Sequence, residues 1–119
     1  MREERLRATA GLRQAPLPLS SWRGRSGRRY VVGVHALDEA EILAVTEAVI
    51  LAVRRDESGT AHVIDIATAD SQPSGEARAR WMSRVRSAGA TEMHVHRLAE
   101  GERERREILA DLCADQAAS

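Results

Sequence analysis

Four arginines and two aromatic residues fall within the ten residues from Ser21 to Tyr30, which read Ser-Trp-Arg-Gly-Arg-Ser-Gly-Arg-Arg-Tyr. A guanidinium is planar and presents paired donors that match a phosphate or a carboxylate two bonds at a time. Arg23, Arg25, Arg28 and Arg29 therefore define a candidate surface for an anionic partner. Trp22 and Tyr30 either stack on bases beside it or pack the segment down onto the rest of the chain. The partner this implies is nucleic acid, through its phosphates, or an acidic protein surface.

A second group with chemical potential is the pair His94 and His96. Two residues apart on a strand, they project to the same side of a sheet, a spacing that can hold one metal ion. Asp65 interrupts the apolar run Val63-Ile64-Asp65-Ile66-Ala67, where a carboxylate needs a partner or water. Placed on the same sheet face, Asp65 would complete a set of two histidines and one carboxylate. Metal binding, or a metal-dependent enzyme, is the alternative that follows. No Gly-rich phosphate loop, no paired-cysteine motif and no Gly-x-Ser-x-Gly elbow occurs, so no enzyme class is indicated, and a non-enzymatic role is the expectation. Nor does the sequence call for any cofactor.

The charge is unevenly divided. The formal net charge is zero, yet residues 1–29 carry eight arginines and two glutamates while the remainder carries ten arginines against sixteen acids. A basic arm joined to an acidic body is the strongest global feature. All the cations are arginine, spread along the whole chain, which compositional bias explains more simply than phosphate recognition does. The single cysteine, Cys113, can form no internal disulfide, so a reducing cytoplasm is the expected compartment, and its neighbours Leu109 and Leu112 make it read as a buried thiol. The longest apolar stretch, residues 42–53, is broken by Thr46 and Glu47 and is too short to cross a bilayer, and residues 1–14 lack the apolar core of a signal peptide.

The elements that must position these groups follow from periodicity. Residues 1–27 are expected to form a mobile arginine-rich arm, with Pro16 and Pro18 marking an extended connection, and residues 28–119 a single domain. Tyr30-Val31-Val32-Gly33-Val34 begins a buried strand over 28–36. Asp38, with Glu41 three residues on, predicts the cap of a short helix that includes Ile42 and Val45. Residues 49–55 and 60–67 form a hairpin around Asp56-Glu57-Ser58-Gly59. A four-residue loop there sets Val53 opposite His62, Leu51 opposite Ile64 and Val49 opposite Ile66. A helix spans 73–88, capped by Ser74, striped by Ala77, Trp81, Met82, Val85 and Ala88, and closed by Gly89. A strand over 91–98 and a helix over 102–116, with Ile108, Leu109, Leu112 and Cys113 on its apolar side, complete the chain.

The resulting expectation is an α+β fold. Its elements run β, short α, β, β, α, β, α in a mixed four-stranded sheet, with the two longer helices mainly on one face. Those helices would cover the bulky face of the hairpin. The other face, with Gly33, Ala52, Ala61 and Ala67, would be open to water or would pair with a second copy in a homodimer. Functionally, the chain reads as a small binding or regulatory module. It contacts its anionic partner through Trp22, Arg23, Arg25, Arg28, Arg29 and Tyr30. A purely structural homodimer is the third possibility.

Overall fold

The computed structural model describes residues 3–5, 18–37 and 44–117. The expected cap at Asp38 and Glu41, and the short helix through Ile42, lie outside the described residues. Among the described residues six strands form one sheet: β1 (Glu3–Arg5), β2 (Leu19–Arg23), β3 (Arg29–Ala36), β4 (Val49–Arg55), β5 (Ala61–Thr68) and β6 (Glu92–His96). Two helices follow the hairpin, α1 (Gly75–Ser87) before β6 and α2 (Glu102–Ala117) after it, and a 3-10 turn at Ala69–Ser71 precedes α1.

The sheet differs from the expected mixed four-stranded one in both size and direction. Its order is β1-β2-β3-β6-β4-β5, and every neighbouring pair is antiparallel. The two added strands come from the segment read as an arm. Leu19–Arg23 turns back at Gly24 and pairs residue by residue with Gly33 to Arg29. Its signal is hidden because two serines stand where strand formers are sought, and two prolines precede it. The direction follows from where the crossovers land. β3 and β4 run the same way but are not adjacent, because β6 lies between them and is antiparallel to both.

The β4–β5 register also departs from expectation. The loop has five residues, because Arg55 pairs with Ala61, and Ile64 has no partner between the Val53–Val63 and Ala52–Asp65 pairs. Asp56 sets the loop length: its Oδ1 accepts from the amides of Ser58 and Thr60 at 2.9 and 3.0 Å, and Gly59 takes φ 88° to complete the turn. The bulge at Ile64 then sets Leu51 opposite Ile66 and Val49 opposite Thr68.

The helices lie on opposite faces of the sheet. Trp81, Met82 and Val85 of α1 pack on Ile50, Ala52, Ala67, Met93 and Val95. Ile108 and Leu112 of α2 pack on the alternate residues Val49, Leu51, Val53 and Ile66, together with Trp22, Tyr30 and Val32. The small side chains Ala52 and Ala67 therefore make room for the Trp81 indole instead of an open or dimeric face. With no phenylalanine in the chain, one tryptophan anchors each core, Trp22 fully buried and Trp81 1% exposed.

Helix α1 begins where Ser74 Oγ accepts from the Ala77 amide at 3.0 Å. It ends in a Schellman motif, with Gly89 at φ 106° and the Ala90 amide donating to Val85 at 2.9 Å. Helix α2 is tied to the 3-10 turn by a paired bond from Arg105 to Asp70, Nε to Oδ2 at 2.6 Å and Nη2 to Oδ1 at 2.9 Å. Arg105 draws Asp70 below the usual carboxylate range, against the opposing effect of burial. Among the described residues no helix is long and apolar enough to cross a membrane.

One contact reports the curvature of the sheet. From β1 to β4 there are four strand-to-strand steps, a width of about 19 Å if the sheet were flat. Nevertheless Glu3 Oε1 lies 2.6 Å from Arg55 Nη1. The sheet must curl into a half-barrel for the two side chains to meet across its concave face.

Candidate functional site

Two places concentrate polar side chains, and each is assembled by the sheet. The first is the concave face around β6. Alternation places Glu92, His94 and His96 on that face, opposite Val53, Leu51 and Val49 of β4. Glu3 arrives from β1 and Trp22 from β2, which are direct cross-strand partners. Arg55 comes from the end of β4.

These groups form one connected network. The Trp22 indole Nε1–H donates to His94 Nδ1 at 2.9 Å, which requires that nitrogen to be unprotonated. The ring proton is then on Nε2, which donates to Glu92 Oε1 at 2.8 Å. Arg55 donates to Glu92 Oε1 as well, and to both oxygens of Glu3, Nη1 at 2.6 Å and Nη2 at 3.0 Å. A further bond from Arg55 Nη1 to the Gly59 carbonyl, at 3.0 Å, joins the network to the β4–β5 loop.

The electrostatics agree with this proton placement. Burial holds the fully buried His94 below the usual histidine range, against the pull of Glu92 and Glu3, so the ring is neutral. Burial also pushes Glu3 and Glu92 upward, but the hydrogen bonds and charge of Arg55 outweigh it and leave both carboxyls lowered. The Glu3 hydrogen bond in turn raises Arg55. Two carboxylates, one guanidinium and one neutral imidazole remain, a net charge of one negative unit.

Glu3, Glu92 and His94 do bring three potential metal-ligand atoms within 4.8 Å of one another. Arg55 already stands between the two carboxylates, however, and both nitrogens of His94 are engaged. The cluster is a closed lock between β1, β2, β4 and β6, with its cation supplied by the protein.

The metal set read from the sequence is not assembled. His94 and His96 share a face, but His96 donates its Nδ1–H to the Val31 carbonyl at 2.7 Å and meets the Tyr30 ring edge-on. Asp65 lies on the opposite side of the sheet, where it accepts from the Trp81 indole at 2.7 Å. Cys113 stands half-buried beside the α2 core, its thiol pushed up by burial.

The second place is the turn between β2 and β3. Arg23 and Arg29 are direct cross-strand partners, and Arg25 and Arg28 lie in the turn they flank. All four are exposed. Like charges opposite one another destabilise an antiparallel pair, so this grouping carries an intrinsic cost that an anion would offset. Glu4 reaches Arg29 at 3.0 Å, and Arg28 lies over the Tyr30 ring with its guanidinium carbon 5.4 Å from the centroid.

The turn is held to α2 through Asp111. Its Oδ1 accepts from the Ser26 amide at 2.8 Å, its Oδ2 from the Ser26 and Tyr30 hydroxyls, each at 2.7 Å, and its carbonyl from the Arg25 amide at 3.2 Å. A Cβ at Gly24 would stand 2.1 Å from Asp111 Oδ2, so only glycine permits this approach. Burial first, then the Asp111 hydrogen bond and charge, push the Tyr30 phenol up to about 12. Asp111 itself is lowered, because the Tyr30 and Ser26 hydrogen bonds outweigh its own burial.

Of the six residues expected to meet a partner, four are therefore presented and two are not. Trp22 is inside the concave core and Tyr30 is 3% exposed. The residues that sequence reasoning missed are Glu3, Arg55, Glu92 and Asp111. Glu92 had a signal, since it alternates with His94 and His96. The other three are brought to their partners by chain separations of 52 and 81 to 85 residues, which no local pattern records. Comparison with protein-family models, with curated proteins and with solved structures finds no match for this chain.

Proposed function

We propose that this protein is a small non-enzymatic binding module whose β2–β3 turn engages the phosphate backbone of a nucleic acid. The observation that carries this reading is the set of four exposed arginines in and flanking one turn that Asp111 holds in place. A turn held in position loses less conformational freedom on binding than a free arm would. With Trp22 and Tyr30 buried, no aromatic is offered for base stacking, so contact with phosphates independent of base identity is the mode that fits. An acidic protein surface is the other anion that such a turn could meet.

Fluorescence anisotropy of labelled mixed-sequence DNA and RNA tests the reading, with the intact protein at low and near-physiological salt. Binding should weaken steeply with salt. In an Arg25→Ala, Arg28→Ala variant the slope of log K against log salt should fall by roughly two on duplex DNA. No binding at low salt would remove nucleic acid, and salt-dependent binding to polyglutamate alone would transfer the turn to an acidic protein partner.

A further inference from the structure

The way Glu3 is held points beyond the turn. Strand β1 contributes only three residues, all paired to β2, and Glu3 carries its link across the barrel to Arg55. Every residue that receives it, Trp22, Arg55, Glu92 and His94, belongs to the segment from 19 onward. An empty slot would leave the largely buried Arg55 with one carboxylate instead of two, so it favours refilling.

We propose that Glu3–Arg5 is an exchangeable strand. The slot along the outer edge of β2 takes the same three residues from a second copy, giving a reciprocal dimer in which each copy's Glu3 pairs with the other's Arg55. The chain length allows it. Residues 6–17 join β1 to the rest, and twelve residues span about 40 Å when extended, against a longest molecular dimension of 38 Å. Exchange reproduces the β1–β2 pairing and the Glu3–Arg55 ion pair of the closed monomer, and the dimer is favoured as concentration rises.

Cross-strand cysteines read the exchange directly, because Glu4 and Ser21 are register partners. The full-length chain carrying Glu4→Cys and Ser21→Cys, with Cys113→Ser to remove the native thiol, would be equilibrated over a range of concentrations and then oxidised. The expected result is a disulfide-linked dimer on a non-reducing gel, its fraction rising with concentration, and an internally bridged monomer after dilution before oxidation. An internally bridged monomer at every concentration overturns the proposal. So does an equal yield of dimer from Ser21→Cys without Glu4→Cys. Native mass spectrometry of mixed isotope-labelled and unlabelled unmodified protein supplies a second reading: mixed dimers that appear faster with Glu3→Gln support exchange, and their absence at high concentration refutes it.

Discussion

Arg55 holds two carboxylates that would otherwise be buried beside each other, with its own side chain 14% exposed and that of Glu3 7%. Removing it by Arg55→Ala leaves two like charges without a counter-ion. The expected loss of unfolding free energy is about 3–5 kcal/mol, read from urea midpoints. Acid should act on the same network in two stages. His94 is lowered in the fold from 6.5, so the unfolded chain takes up its proton first and stability falls as pH drops below 6.5. Glu3 and Glu92 are lowered from 4.5, so their contribution is present above 4.5 and is lost as pH falls through their folded values. Denaturant titrations across this range should show both stages in the intact protein. His94→Gln should remove the first and leave the second.

At the scale of elements, the β2–β3 turn and the β4–β5 hairpin show what a single residue controls. Gly24→Ala places a methyl group into Asp111, so the bonds from Ser26 and Tyr30 must break or the turn must move. Amide exchange at Ser26 should become faster, and nucleic-acid binding weaker, while the β4–β6 core keeps its protection. Helix α1 was readable because its stripe repeats at helical spacing between two unambiguous signals, Ser74 and Gly89. Strand β2 was not, since Leu-Ser-Ser-Trp-Arg resembles a loop until β3 is beside it. The hairpin lay between these cases. Its strands were evident, but Asp56 added a loop residue and Ile64 a bulge, and each shifts the partner of every residue beyond it.

The whole molecule depends on the segment that its charge made look like an appendage. Residues 1–27 contribute β1, β2 and Trp22, so a chain beginning at Arg28 loses two of the six strands among the described residues and the indole at the centre of one core. That truncated chain should lack a cooperative unfolding transition by circular dichroism. A free arm would instead leave the transition of the remainder intact. The opposite faces chosen by α1 and α2 follow from the same closure, because a half-barrel has a concave and a convex surface and each needs its own apolar cover.

What the sequence by itself determined were the local elements and their chemistry. The strand over Tyr30 to Val34, the hairpin, both long helices with their apolar stripes, and the arginine-rich stretch all rest on periodicity or composition within a short window. What only the tertiary structure decided were the partners: β6 between β3 and β4, Asp111 beneath the turn, Glu3 against Arg55, and Asp65 on the side away from His94 and His96. The physical reason is common to all four. Burial forces a charged or polar group to find a counterpart, but which counterpart is set by how the sheet closes, and closure is a property of pairs far apart in the chain.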